Sequence, residues 1–131
     1  MQVLLTGGAG YIGSHTAVEL LLAGHDVTVV DNLASGSRVA VKRAGRLANG
    51  QVDFLEEDLT DPNGLKRTFD AGRFDAVVHF AGLKAVGESV AEPLRYYRIN
   101  LTSTLNLVEA MLAHDVRHLV FSSSATVYGE P

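Results

Sequence analysis

The chain has 131 residues, 47% of them hydrophobic, with a net charge of −4, no cysteine and eleven scattered basic residues. That is enough for one core and one domain; it excludes disulfides and thiolate-held metals and argues against a nucleic-acid surface. No apolar run approaches the roughly 18 residues of a membrane span, and a strand starting at Gln2 leaves no room for a signal peptide, so a cytoplasmic domain is expected.

Val3-Leu4-Leu5 leads into Gly7, Gly10 and Gly13, and Thr16 to Leu22 then reads as a helix facing a core. Strand, glycine turn and helix N-terminus make a setting for a dinucleotide pyrophosphate. The first glycine turns the chain, and the second admits backbone N–H groups to the phosphates. The third lets the helix pack closely, while its dipole attracts the anion. The spacing is one residue wider at the front than the usual Gly-x-Gly-x-x-Gly. Asp26 to Asp31 reads as a strand ending in a carboxylate, about 20 residues past the glycines, as a ribose-binding acid would be. Asp31 would accept from ribose hydroxyls and repel a 2′-phosphate. Asn32 and Leu33 follow with no arginine, so NAD is favoured over NADP. The alternative is a plain acidic turn residue.

Strands are expected near 2–6, 27–31, 52–55, 75–80 and 117–122. Helices should cover about 11–23, part of 36–49, 63–70 and 93–113. The alternation implies an α/β, Rossmann-like doubly wound parallel sheet of about five strands in the order 3-2-1-4-5. A cofactor would lie over the C-terminal ends of strands one and four. Asp61-Pro62 marks a helix start with Asp61 as its cap, and Pro93 suits the first turn of the last helix. There Leu94, Tyr97, Leu101, Leu105, Val108 and Leu112 recur at three- and four-residue steps, which predicts a buried stripe.

Glu57-Asp58-Leu59 follows the third strand, where Asp58 either accepts from an adenine amino group or is a solvated loop acid. His79-Phe80-Ala81-Gly82-Leu83-Lys84 ends the fourth strand at the switch point. Ala81 and Gly82 lack bulk and would let a cofactor lie against backbone. Lys84 either reaches a phosphate or substrate or is a solvated charge. Ser122 to Gly129 leaves the fifth strand on the same edge. Ser124 or Thr126 there would orient a sugar hydroxyl for proton removal, unless this is only a serine-rich turn. No Gly-x-Ser-x-Gly elbow is present. Asn100 is a poor helix former inside a long helix, so it either has a functional or buried hydrogen-bonding role or is a partly exposed accident. The five histidines form no ligand set, and no metal is assigned.

Thr6 to His15, Asp31-Asn32, Asp58-Leu59, His79 to Val90 and Ser122 to Gly129 together resemble the extended short-chain dehydrogenase/reductase family. Within it they resemble the sugar-nucleotide 4-epimerases. The resemblance covers the whole chain, and the last two stretches are its specific part. It implies that Tyr11 and Ile12 join the turn over the pyrophosphate, and that Asp31, Asn32, Leu33, Ser35 and Gly36 embrace the adenosine ribose. Asp58 and Leu59 would flank adenine. Phe80, Ala81, Gly82 and Lys84 would line the cofactor, with Asn100 and Ser122 adding to its site.

By the same resemblance Ser124 would hydrogen-bond the reacting 4-hydroxyl of a UDP-sugar, with Lys84, Ala125 and Thr126 beside it. Hydride would leave sugar C4 for tightly held NAD, and the 4-keto sugar would receive it back on its other face, interconverting UDP-galactose and UDP-glucose. Related 4,6-dehydratases typically carry an Asp-Glu pair near this turn, which Ser124-Ala125-Thr126 lacks. The family's tyrosine base belongs to a Tyr-x-x-x-Lys pair, and none follows the serine turn before Pro131. The 131 residues are therefore expected to be an incomplete NAD-binding domain, lacking the substrate-binding C-terminal part and inactive alone. Two alternatives are a non-catalytic NAD-binding sensor or interaction module and a truncated relative acting on another UDP-sugar. Strand five would leave an open apolar edge, so a homo-oligomer through that edge or the long helix is expected, with no nucleic-acid or membrane partner.

Overall fold

A computed structural model describes residues 1–129, excepting the side chains of Ala125 and Thr126. Five strands, β1 (Gln2–Thr6), β2 (Asp26–Val30), β3 (Val52–Leu55), β4 (Ala76–His79) and β5 (His118–Phe121), form one sheet in the order β3-β2-β1-β4-β5. Every neighbouring pair is parallel. The helices α1 (Tyr11–Leu22), α2 (Arg38–Leu47), α3 (Pro62–Asp70), α4 (Val86–Ala91) and α5 (Pro93–Ala113) connect them, and a 3₁₀ turn spans Ala125–Tyr128. This is the expected doubly wound sheet.

The run Val3-Leu4-Leu5 is apolar without alternation because β1 is covered on both faces. Leu4 joins one core with Leu65, Phe69, Val77, Leu107 and Met111, on the α3 and α5 side. Val3 and Leu5 join another with Ala17, Val29, Val41 and Ala44, on the α1 and α2 side. The helix expected over part of 36–49 is α2, whose cap is Ser37: its Oγ accepts from the Val39 N–H at 3.2 Å. Asp61 caps α3 as expected, accepting from the Asn63 N–H at 3.0 Å. Four of the eleven basic residues, Arg38, Lys42, Arg43 and Arg46, lie on α2, so the reading of the basic residues as scattered is corrected: these four are grouped already in the sequence.

The stripe expected to be buried on α5 is not. Leu94, Tyr97, Leu101, Leu105 and Leu112 are between 58% and 77% exposed, and Val108 is half-buried. The buried face is instead Tyr96, Ser103, Leu107 and Met111. Both sets repeat at helical steps, and periodicity alone does not say which of two apolar faces meets the sheet. β5 lies at the sheet edge with all four residues exposed. The short helix α4 was not anticipated; it is tied to α5 where the Tyr96 hydroxyl donates to Glu88 at 2.6 Å.

Candidate functional site

The C-terminal ends of β1, β2, β4 and β5 bring the expected residues to one crest of the sheet. At its centre Gly7 turns with φ +67°, and its N–H donates to the Val30 carbonyl at 2.9 Å. A Cβ on Gly7 would lie 2.6 Å from the Ala81 nitrogen, so the β1 and β4 turns touch backbone to backbone there. Gly13 is as tightly enclosed, since a Cβ would meet the Gly7 oxygen at 2.5 Å and the Gly8 Cα at 2.6 Å. Its close packing is against the glycine turn itself.

Gly10 differs. Its Cβ would approach only the Gly7 oxygen, at 3.4 Å. Among the described residues no atom demands a glycine there, and a side chain would occupy space beside the start of α1. That helix begins with Gly10 as its cap, without a side-chain capping bond and without an acidic residue in its first turn. Its positive dipole end is therefore open to an anion. Tyr11 and Ile12 stand largely exposed at the same place.

Asp31 is only 8% exposed. One carboxylate oxygen accepts from the Ala9 N–H at 3.0 Å and the other from the Leu33 N–H at 2.8 Å. The carboxylate thus joins the glycine turn to the β2 turn, where Leu33 is held at φ +59°. Each oxygen retains a further lone pair, so acting as a turn residue and as a ribose acceptor are compatible. Gly36 packs against Ala9, which a Cβ would meet at 2.8 Å, whereas Ser35 is exposed.

Asn32 donates to Asp58 at 2.9 Å, and Asp58 also accepts from the N–H and hydroxyl of Thr60 at 2.8 and 2.6 Å. Those bonds outweigh the opposing effect of burial, which is the largest single influence, and hold the Asp58 carboxyl below its usual range. Leu59 turns its side chain into the core, leaving only its backbone to border a ligand. Its carbonyl accepts from Asn106 at 3.0 Å.

On the β4 turn, Phe80 packs against the core beside β1 and β2, Gly82 is exposed, and Lys84 is exposed and joins no ion pair among the described residues. Asn100 reaches this turn from α5. Its Oδ1 accepts from the Leu83 N–H at 2.8 Å, and its Nδ2 donates to the Leu83 carbonyl at 3.1 Å. The hydrogen-bonding role expected of Asn100 is a clamp on one backbone residue. Ser122 donates its N–H to the His79 carbonyl at 3.1 Å, which sets the β5 turn beside the β4 turn. Ser124 is exposed on this edge, and Ala125 and Thr126 follow in the 3₁₀ turn. Their side chains lie outside the described ones.

Three contributors were not singled out from sequence. The Ala9 N–H orients Asp31, the Thr6 hydroxyl accepts from the Ala81 N–H at 3.3 Å, and His79 lies buried behind both turns. Thr6 and His79 interrupt otherwise apolar strands, which was the available signal. The crest is an open ledge. A separate cavity of about 600 Å³ lies at the opposite end of the strands, lined by Met1, Asp75, Arg117 and His118 among others, and shares no residue with it.

Residues 3–131 match the model of the NAD dependent epimerase/dehydratase family. The chain is 54% identical over 136 residues to a human UDP-glucose 4-epimerase, covering 99% of this chain and 39% of that protein. It is 53% identical over 131 residues to the UDP-glucose 4-epimerase of Bacillus subtilis, covering 100% and 39%. Among solved structures it resembles the Bifidobacterium longum UDP-glucose 4-epimerase in complex with NAD+ and UDP. There the TM-score is 0.95 at 50% identity, over 100% of this chain and 39% of that one. The Stenotrophomonas maltophila enzyme with bound NAD and formylated UDP-arabinopyranose matches with a TM-score of 0.94 at 46% identity, over 100% and 39%. The chain thus spans 39% of the length of these relatives.

Proposed function

This chain belongs to the NAD dependent epimerase/dehydratase family, and on that footing we propose that its crest is the dinucleotide-binding part of a UDP-glucose 4-epimerase. The observation that carries the reading is the open space at Gly10 in front of an uncapped, acid-free helix start. A diphosphate suits that place by charge. Gly7, Gly10 and Gly13 with Tyr11 and Ile12 hold it. Asp31 accepts from the adenosine ribose, while Asn32, Leu33, Ser35 and Gly36 complete that side. Asp58 and the Leu59 backbone border adenine. The turn from Phe80 to Gly82 supports the nicotinamide half, with Lys84 as a nearby cation, and Asn100 and Ser122 hold that turn in place. When bound, NAD accepts and returns a hydride at the sugar.

Ser124 stands at the nicotinamide end and orients the sugar 4-hydroxyl, with Lys84, Ala125 and Thr126 beside the UDP-sugar. These 131 residues supply the dinucleotide-binding part of the reaction's machinery and span 39% of the length of the relatives. Calorimetric titration with NAD and NADP tests the reading directly. Saturable binding with NAD preferred is expected; no binding of either, or a preference for NADP, refutes it.

The apolar faces have a place in the same proposal. The exposed α5 residues Leu94, Tyr97, Leu101, Leu105 and Leu112 and the bare edge of β5 are too extensive an apolar surface for a monomer to leave in water. The chain pairs with another copy through one of them. Light scattering at increasing concentration is expected to show dimers, and a monodisperse monomer throughout would reject this.

A further inference from the structure

The buried imidazole of His79 sits in a closed circuit of hydrogen bonds behind the crest. Beginning at the β4 turn, the Ala81 N–H donates to Thr6 Oγ1 at 3.3 Å. Thr6 Oγ1 lies 2.6 Å from His79 Nδ1, and His79 Nε2 lies 3.1 Å from Thr104 Oγ1. The Thr104 hydroxyl donates to the Asn100 carbonyl at 2.9 Å. The Asn100 side chain then grips Leu83 at 2.8 and 3.1 Å, two residues from the start.

The direction follows from donor counting. Thr104 spends its only hydroxyl proton on Asn100, so it must accept from Nε2–H of His79. Nε2 therefore carries a proton, and in the neutral ring that burial favours, Nδ1 is left as the acceptor for the Thr6 hydroxyl. Burial, and secondarily the charge of Lys84, pushes its pKa down to about 4, consistent with this state. An imidazolium would carry a second N–H toward Thr6 and leave the Thr6 proton to find another acceptor.

We propose that His79 is a positioning residue for the dinucleotide: through Thr6 on one side and Thr104 with Asn100 on the other, it holds the Ala81–Leu83 turn against the glycine turn. This rests on the reading that those turns carry a dinucleotide. His79 touches no part of the ligand. It transmits the placement of α5 to the Ala81 amide from inside the sheet, and a hydrogen-bonded network with its centre buried at Thr6 and His79 is rigid.

Thr104→Val tests it, because valine keeps the shape while removing the bond to His79 on the Thr6–Ala81 side and the bond to Asn100 on the Leu83 side. The expected result is a roughly three- to tenfold weaker NAD affinity. The Ala81 and Leu83 amide signals should both move in the ¹H–¹⁵N spectrum of the free chain. A long-range spectrum of the wild-type imidazole should show the Nε2–H tautomer. His79→Phe, which fills the space and removes both bonds, should weaken NAD further; if it does not fold, Thr104→Val decides. An unmoved Ala81 amide with unchanged affinity, or an Nδ1–H tautomer, would overturn the proposal. Should the wild-type chain bind no NAD, the dinucleotide reading fails by itself, and the amide and tautomer spectra still decide whether the circuit exists.

Discussion

Gly7→Ala is expected to destabilise the chain by about 2–4 kcal/mol and to abolish measurable NAD binding. Two costs combine. At φ +67° an L side chain pays roughly 1 kcal/mol for the left-handed backbone. The new methyl also lands 2.6 Å from the Ala81 nitrogen, 2.8 Å from its Cα and 2.9 Å from the Phe80 carbonyl carbon. Those are backbone atoms and cannot swing aside. The Phe80 N–H is tied to the Thr6 carbonyl at 3.0 Å and the Ala81 N–H to the Thr6 hydroxyl. Overpacking of this kind costs typically 1–3 kcal/mol. Relief comes only by parting the β1 and β4 turns, which removes the proposed seat of the pyrophosphate. Gly10→Ala supplies the contrast. Its φ is −80° and its nearest neighbour would be 3.4 Å away, so stability should stay within about 1 kcal/mol while NAD binding falls steeply. Urea midpoints and calorimetry on both variants separate the cases. Wild-type binding by Gly10→Ala would show that no ligand occupies the space beside it.

Asp31→Ala is expected to weaken NAD binding at least tenfold and to erase most of the preference over NADP. In the free chain the substitution leaves the Ala9 and Leu33 N–H groups without their acceptors. An orphaned, mostly buried donor costs about 1–3 kcal/mol, so a lower urea midpoint should accompany the binding loss. Asp31→Asn separates the two roles. Its single amide oxygen can serve one of the two N–H groups, so stability should fall less than with alanine. Its lost charge no longer repels a 2′-phosphate, so NADP binding should gain relative to NAD by tenfold or more, equivalent to about 1.4 kcal/mol. An Asp31→Asn chain that keeps the wild-type ratio of NAD to NADP affinity would leave Asp31 as a turn residue only.

Much of this was legible beforehand, for reasons visible at particular residues. Val3-Leu4-Leu5 before Gly7 and the clean strand Val27 to Val30 carry their structure in short-range patterns, and sheet order follows from chain order through the handedness of crossovers. Asp31, Asp58 and Ser124 come to one crest because each ends or follows a strand in a parallel sheet. The family resemblance rests on the same local stretches, which is why it survived comparison across the whole chain.

What sequence could not decide was which side chains meet across long intervals. Thr6 and His79 are 73 positions apart, and Asn100 reaches Leu83 across 17. Nothing local marks these pairs, because each residue is only a polar group awaiting a partner. The outward turn of Leu94, Tyr97 and Leu101 was hidden for a related reason: a helical period fixes the spacing of a face but not its direction. Chain-local chemistry determined the elements, their order and the glycine turn. Tertiary packing decided the direction of α5, the burial of the Leu59 side chain and the circuit through His79. Those depend on desolvation and donor–acceptor pairing, which exist only once the elements are brought together.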